Sequence, residues 1–282
     1  MGRKGYLLSL LILGLAILMN TILGGCTSKE VEKLQVVTST SLLAQIVERV
    51  GGEHVAVVNV IPPAQCPGHF DVKPGDIKML ADADLFLMHG WQGEKFTDDL
   101  IASADNPDLS VYKIDLPGNW MTPQVQSQAI DTITGIISQA DAEHRADFGK
   151  KADDFKSSIN AKGAEMAEKL AKANVAEINV MCADQQAGFV QWAGFNIVAA
   201  FGRPEDMTPQ VVKELVDKGR EGMVTLIIDN MQSGQDAGAG IAEELGSARV
   251  ILSNFPGGYE NTETWEKTID YNVALLLAAI GR

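Results

Sequence analysis

The sequence predicts an α/β fold with two Rossmann-like lobes, mostly parallel sheets and one long helix that joins them. Short apolar or β-branched runs alternate with amphipathic segments in two series along the chain. This order gives parallel sheets covered by helices. Between the series, residues 123–173 contain no proline after Pro123, and their apolar residues keep helical spacing in a charged background. We therefore expect one lobe on each side of a long helix.

The first series predicts a lobe of four strands and three helices. Ser39-Thr40-Ser41 supplies hydroxyl groups that suit a helix N-terminus, and Pro74-Gly75-Asp76 opens the next helix. The run 84–88 is almost wholly apolar, as expected of a strand buried on both faces. The predicted strands are 34–38, 55–61, 84–88 and 110–114, and the predicted helices are 42–50, 74–80 and 94–104.

The second series repeats this pattern after the long helix. Strands are predicted at 178–181, 196–199, 224–228 and 249–252, and helices at 185–193, 209–218, 237–245 and 262–280. The resulting division of the chain is a signal peptide at 1–25, a tether at 26–33, an N-terminal lobe at 34–140, a linking helix at 141–173 and a C-terminal lobe at 174–282.

The N-terminus has the features of a lipoprotein signal. Arg3 and Lys4 precede the apolar run 6–23, and Leu23-Gly24-Gly25-Cys26 ends that run with small residues before a cysteine. Its resemblance to a lipobox implies cleavage before Cys26 and acylation of the thiol. An uncleaved N-terminal anchor is the alternative, since the run approaches the roughly 20 residues of a spanning helix. Both readings place the domain outside the cytoplasm, as a membrane-anchored protein in the periplasm or on the outer cell surface.

The composition excludes some partners. The formal net charge is −14, and subtracting the two positive charges of Arg3 and Lys4 gives −16 for the mature part. A surface of this sign repels phosphate backbones, so we expect no nucleic-acid partner. The apolar share of 46% is enough for a sizeable core.

Candidate binding residues follow from the rule that ligands bind beyond the carboxyl ends of parallel strands. Thr40, Trp120, Gln185 and Asn254 lie at such ends and are candidates for the lining of a cleft between the lobes. His89 also ends a strand, and we interpret it as a hydrogen-bonded core histidine.

Two cysteines and a histidine suggest metal chemistry. Cys66 and His69 lie three residues apart in one loop, a spacing that lets a thiolate and an imidazole reach one ion, and this pair suits zinc or copper better than manganese. Cys182 and Asp184 in the opposite lobe could complete the site. The alternatives are a disulfide between Cys66 and Cys182, or a buried free thiol at Cys182.

At this point the motifs resemble those of the zinc/manganese solute-binding lipoproteins of ABC importers. The resemblance covers essentially the whole mature chain and is carried by Val37-Thr38-Ser39-Thr40, Ile61-Pro62-Pro63, Gly68-His69-Phe70-Asp71-Val72-Lys73-Pro74, Ala81-Asp82-Ala83-Asp84-Leu85-Phe86 and Tyr271-Asn272. It implies two α/β lobes joined by one long helix, a metal held between them with little hinge motion, and a membrane permease as partner.

The resemblance also implies four ligand positions. The first falls on His69, the second on Gly118, the third near Ala183 or Asp184, and the fourth on Asn254. One family ligand, His69, is therefore present, and the chain is a divergent member of the family.

These observations favour a binding module, expected to be a monomer, that captures a transition metal or a metal-containing small ligand and passes it to an ABC permease. Zinc is the first expectation, with copper and manganese as further candidates. An enzyme is disfavoured because the sequence contains no G-x-S-x-G elbow, P-loop or H-E-x-x-H motif. A thiol hydrolase that uses Cys182, a receptor for a non-metal ligand, and an adhesin or scaffold that has lost the metal site are the alternatives.

Overall fold

A computed structural model describes residues 33–91, 94 and 96–281, and these residues belong to one compact unit. The predicted signal peptide, most of the tether and the predicted lipidation site Cys26 lie outside this part of the chain. Among the described residues, no helix combines the length and the apolarity needed to cross a bilayer.

Eight strands and nine helices of six residues or more alternate along the described chain. The strands are β1 (Leu34–Thr38), β2 (Val55–Asn59), β3 (Leu85–His89), β4 (Ser110–Ile114), β5 (Asn179–Ala183), β6 (Asn196–Phe201), β7 (Leu226–Asn230) and β8 (Ala248–Leu252). The helices are α1 (Ser41–Gly51), α2 (Pro74–Ala81), α3 (Phe96–Ala104), α4 (Pro123–Ala140), α5 (Arg145–Lys172), α6 (Ala187–Trp192), α7 (Pro209–Glu221), α8 (Ala239–Leu245) and α9 (Trp265–Ala279).

The strands form two four-stranded sheets with the same topology. The first has the order β2-β1-β3-β4 and the second β6-β5-β7-β8. Every strand pairing within these sheets is parallel. In each sheet the strand order reverses between the two central strands, which creates a crevice at their carboxyl ends. The prediction of two parallel α/β lobes is confirmed.

A helix of 28 residues, α5, connects the two lobes after α4. At 1.5 Å per residue it is roughly 42 Å long. It begins at Arg145, four residues later than the predicted linking segment, because His144 Nδ1 and the Asp141 carboxylate (2.6 Å apart) hydrogen-bond in the turn between α4 and α5. The division of the chain at residues 140 and 174 stays a prediction.

Most element boundaries differ from the sequence-based expectation by one to three residues, and β7, for example, is Leu226–Asn230 instead of 224–228. Two of the differences concern β2 and the predicted helix 185–193. β2 ends at Asn59 rather than at residue 61, although the amide of Val60 still donates to the carbonyl of Thr38, the last residue of β1, and the amide of Ile61 to that of Ser39. The predicted helix 185–193 is divided into a short 3₁₀ turn, Asp184–Gln186, and α6. Asp184 and Gln185 of this turn line the cavity described below together with Gly188 of α6.

The lobes share one apolar core. A single cluster of buried side chains includes Leu43 from α1, Phe155 from α5, Val180 from β5 and Trp265 from α9. The indole nitrogen of Trp265 also donates to the carbonyl of Trp120 at 3.1 Å. Because apolar packing runs without interruption from one sheet to the other, relative motion of the lobes would expose core residues to water.

Two glycines on α5 give a matched test of how this helix packs. A Cβ at Gly163 would collide with the ring of Pro123, whereas a Cβ at Gly149 would meet nothing within 4 Å. We expect Gly163→Ala to lower the free energy of unfolding by about 1–3 kcal/mol through overpacking. Gly149→Ala should raise it by about 0.4–1 kcal/mol, because alanine reduces the entropy of the unfolded chain. Urea unfolding of both variants checks this, and equal effects would contradict the packing of α5 against α4.

Candidate ligand-binding site between the lobes

The carboxyl ends of strands from both sheets surround a cavity of about 460 Å³. This volume is within the usual range of small-molecule sites. The lining residues come from both lobes: Leu42, Cys66, Pro67, Trp91, Gly118, Asn119, Trp120, Asp184, Gln185, Gly188, Arg203, Asn230, Gln232, Ser233, Asn254 and Phe255.

Strand ends explain why these side chains converge. Trp91 lies two residues beyond the end of β3, Asp184 directly follows β5, Arg203 lies two residues beyond β6, and Asn230 ends β7. Parallel strands bring their carboxyl ends to one edge of each sheet. Since the two edges face the same cavity, the topology alone places these residues together.

Side-chain amides form a connected network on one wall of the cavity. Asn119 Nδ2 donates to Asn254 Oδ1 at 3.0 Å and to the Gln185 carbonyl at 2.8 Å, which links the two lobes. Gln232 Oε1 accepts from the backbone N–H of Asn254 at 3.0 Å, and Ser233 Oγ donates to Gln185 Oε1 at 3.0 Å. These groups hold one another in fixed positions, so this wall is preorganised.

Aromatic rings form a second wall. Trp91, Trp120 and Phe255 line the cavity. The rings of Trp91 and Trp120 are nearly perpendicular, at 85°, and those of Trp91 and Phe255 are nearly parallel, at 7°. His89 stacks on Trp91 with centroids 3.7 Å apart and an interplanar angle of 3°. Trp91 is half-buried while Trp120 and Phe255 are buried, so Trp91 is the ring most open to the cavity, and His89 supports it.

A buried polar cluster lies behind this aromatic wall. His89 is fully buried, its Nε2 is 2.8 Å from Thr40 Oγ1, and its other ring nitrogen has no partner among the described residues. Burial lowers the pKa of His89 to about 3. The carboxyl group of Glu94 accepts a hydrogen bond from Ser39, and burial raises the pKa of Glu94 to about 8. Both side chains are thus neutral at pH 7, and the prediction of a core histidine at residue 89 is confirmed.

The cavity lining contains one side chain of each charge. Asp184 is exposed and Arg203 is half-buried. Within the part of the chain that the structure describes, neither has an oppositely charged group within 4.0 Å, while many surface charges are paired. The hydrogen-bond partner of Arg203 is the sulfur of Cys66, 3.9 Å from Nη1. Both charges are therefore available to a ligand.

Several residues predicted from the sequence lie in the lining. Cys66, Asp184, Trp120, Gln185 and Asn254 all border the cavity. Contact between these residues and a ligand stays a prediction.

Three other predicted site residues do not lie in the lining. His69 is outside it, with 68% of its side chain exposed, because its loop turns away into a short 3₁₀ segment. Cys182 is fully buried on β5. Thr40 is also fully buried, and its hydroxyl group is hydrogen-bonded to His89 and lies outside the lining.

The structure therefore does not assemble the expected metal site of His69, Cys66, Cys182 and Asp184. Cys182 is fully buried and lies outside the lining, and burial raises the pKa of its thiol to about 12, with the Asp184 charge adding to the effect. Both Cys66 and Cys182 are free, which excludes the alternative of a disulfide here. Over the described ranges, no three His, Cys, Asp or Glu side chains are grouped to hold a metal ion.

The positions to which the resemblance assigned ligands are nevertheless close together. Gly118, Asp184 and Asn254 line the same cavity, as do Cys66 and Pro67 from the loop that contains His69. Gly118 has φ +101°, a conformation that side chains larger than glycine's rarely adopt. The backbone at this position is therefore adapted to glycine, and a histidine ligand would be strained here.

Sequence reasoning missed Trp91, Arg203 and Phe255. The strand-end rule could have identified the first two, since each lies two residues beyond a strand. Phe255 had no such signal, because an aromatic residue after a strand is more often part of the core.

Comparison with known proteins gives a consistent picture. A family model described as zinc-uptake complex component A, periplasmic, matches residues 36–279. The manganese-binding lipoprotein MntA of Halalkalibacterium halodurans is 30% identical over 83 residues, which are 29% of this chain and 28% of that protein. The MntA of Bacillus subtilis is 26% identical over 210 residues, 66% of this chain and 67% of that protein.

Solved structures share the fold. The substrate-binding protein FpvC of Pseudomonas aeruginosa, in complex with Mn²⁺, matches with a TM-score of 0.76 at 18% identity, over 89% of this chain and 99% of that chain. At this identity the likeness concerns the fold alone.

Proposed function

Because the chain belongs to the zinc-uptake complex component A family, whose members are solute-binding proteins of ABC importers and not enzymes, we propose that it captures a transition metal species outside the cytoplasm and delivers it to a membrane permease. The single observation that carries this proposal is the cavity between the lobes. It contains the positions Gly118, Asp184 and Asn254, to which the resemblance assigns metal ligands.

The proposal includes a lipid anchor at Cys26 and a monomeric protein. The small residues before Cys26 and the polar segment after it support processing as a lipoprotein. The related MntA proteins are also named lipoproteins. Such an anchor would keep the binding domain near its permease.

We further propose that the metal enters the cavity as a complex with a small organic chelator. Among side chains that commonly bind transition metals, the lining offers one carboxylate and one thiol, from Asp184 and Cys66. Its other polar side chains are amides, the hydroxyl group of Ser233 and the guanidinium of Arg203. Zinc and manganese sites in proteins are normally built from several His, Cys, Asp or Glu side chains. A chelator would supply the missing ligands, and a cavity of about 460 Å³ has room for it.

A bare zinc or copper ion bound by Cys66 and His69 is the second candidate. Cys66 borders the cavity, His69 is three residues away, and His69 Nε2 lies 3.9 Å from a carboxylate oxygen of Glu205 in the other lobe. The wide exposure of His69 weighs against tight binding, because water competes for the ion.

Thermal unfolding distinguishes these candidates. We expect zinc citrate or the zinc complex of 8-hydroxyquinoline-5-sulfonate to raise the melting temperature, whereas zinc, copper or manganese salts alone leave it unchanged in the presence of reductant. A species at 100 times its Kd stabilises the folded state by about 2.7 kcal/mol.

The variants Cys66→Ser and His69→Ala serve as controls for the second candidate. Stabilisation by a free metal ion that disappears in both variants would replace the first candidate with the second. If neither the metal salts nor the complexes change the melting temperature, a metal-transport role is contradicted and the scaffold alternative is favoured.

A further inference from the structure

The guanidinium of Arg203 is the feature of the cavity that most restricts its ligand. It follows β6 in the second lobe and lines the cavity, where its hydrogen-bond partner is the weakly accepting sulfur of Cys66. Among the described residues, no carboxylate lies within 4.0 Å of it. By contrast, Arg249 is paired with Asp229 at 2.8 Å. The guanidinium has five N–H donors, and its partner here is a weak acceptor. A half-buried group of this kind is suited to binding an anionic group.

Two amides of the cavity, those of Asn119 and Gln232, cannot easily take over this role. Asn119 uses its side-chain nitrogen for two hydrogen bonds, and Gln232 does the same toward Pro63 and Ser253. Breaking these bonds to bind a ligand would leave carbonyl groups without donors, at a cost in free energy. Arg203 and Asp184 are the charged side chains of the lining, so recognition of a charged group falls to them.

The aromatic wall restricts the shape of the ligand. Trp91 lines the cavity, one of its faces is covered by His89, and Phe255 and Trp120 border the same space. Rings of this kind bind other flat rings by offset stacking, which contributes beyond simple area burial. Trp91 is the half-buried ring of this wall, while Trp120 and Phe255 are each 3% exposed and support it from behind.

We infer that the substrate is a flat, unsaturated chelator bearing an acidic group, which binds with that group on Arg203 and its ring against Trp91. This inference rests on the proposed function and adds the chemical class of the chelator. The carboxylate of Asp184 is then free to complement the positive charge of the metal.

Two zinc chelators that differ by one anionic group test the inference. 8-Hydroxyquinoline and 8-hydroxyquinoline-5-sulfonate have the same ring system, and only the second carries a sulfonate. Isothermal titration calorimetry with the zinc complex of each should give at least about tenfold tighter binding of the sulfonated complex, corresponding to about 1.4 kcal/mol. Arg203→Gln should remove this preference, so that the two complexes bind with about the same Kd.

Control variants separate the two parts of the inference. Arg220 is an exposed residue of α7 outside the lining, and Arg220→Gln should keep the preference for the sulfonated complex. Trp91→Leu should weaken binding of both complexes, and Trp91→Phe should restore most of it, which also shows that the site still folds.

The possible failures are distinguishable. If wild type binds both complexes equally well, or if Arg203→Gln keeps the preference, the acidic-group assignment is overturned while the proposed function stands. Unchanged binding in Trp91→Leu overturns the ring assignment. If wild type binds neither complex but is stabilised by zinc ions alone, both the inference and the proposal of a chelated metal are overturned.

Discussion

Glu94→Gln is expected to make the protein more stable than wild type at pH 9 and to have little effect on stability near pH 4. Glu94 is 3% exposed, and burial raises its pKa from 4.5 to about 8. In wild type, the stability that this group contributes is fully present below pH 4.5 and is lost as the pH rises toward 8, since only the unfolded chain ionises freely in that window. At 1.36 kcal/mol per pH unit, the free energy of unfolding falls by ~5 kcal/mol across this window.

Glutamine has nearly the same shape and keeps an oxygen that can accept from Ser39. The free energy of unfolding from urea titrations at several pH values measures the effect. Glu260→Gln, an exposed site, is the matched control and should keep the wild-type pH dependence. If the wild-type and Glu94→Gln curves run parallel from pH 4.5 to 9, Glu94 is not buried as described.

His89→Gln should remove part of the loss of stability that wild type undergoes as the pH falls below 6.5. Burial lowers the pKa of His89 from 6.5 to about 3, so the unfolded chain takes up a proton in this range and the folded chain does not. The free energy of unfolding of wild type should therefore fall by ~5 kcal/mol through this group as the pH falls from 6.5 to 3. The variant should be less stable than wild type at pH 7, because it loses the stacking on Trp91, but its stability should vary less below pH 6.5.

Exposed His69 provides the control for this prediction, and His69→Gln should keep the acid sensitivity of wild type. The two buried groups together predict a plateau of stability between about pH 4.5 and 6.5, where their opposite slopes cancel. An acid slope in His89→Gln equal to that of wild type would contradict the buried neutral histidine.

The fold was predictable because local signals agreed with one another. Strands such as β1 and β3 are short apolar runs that cannot stay in solvent, and prolines or hydroxyl-bearing residues precede several helices. The long proline-free stretch could hardly form anything except helix. These signals depend on a few neighbouring residues, so sequence was sufficient.

The site was less predictable because it depends on the direction in which each side chain points. Cys182 and Asp184 are two residues apart, yet the first is enclosed by helices on both faces of its sheet and the second emerges beyond the strand end. Likewise, spacing alone could not show that the loop from Cys66 to His69 turns its thiol toward the cavity and its imidazole toward solvent. Spacing gives the reach of a side chain, while its direction depends on packing with distant residues.

The central claim is that the cavity between the lobes binds a metal together with an organic chelator. Native mass spectrometry of the protein, purified without added chelators from cells of its source, tests it most directly. We expect a bound mass larger than any single metal ion, which dissociates into a metal and an organic anion and is absent from Arg203→Gln. A bound mass equal to one bare metal ion, kept in Arg203→Gln and lost in His69→Ala, would contradict the claim.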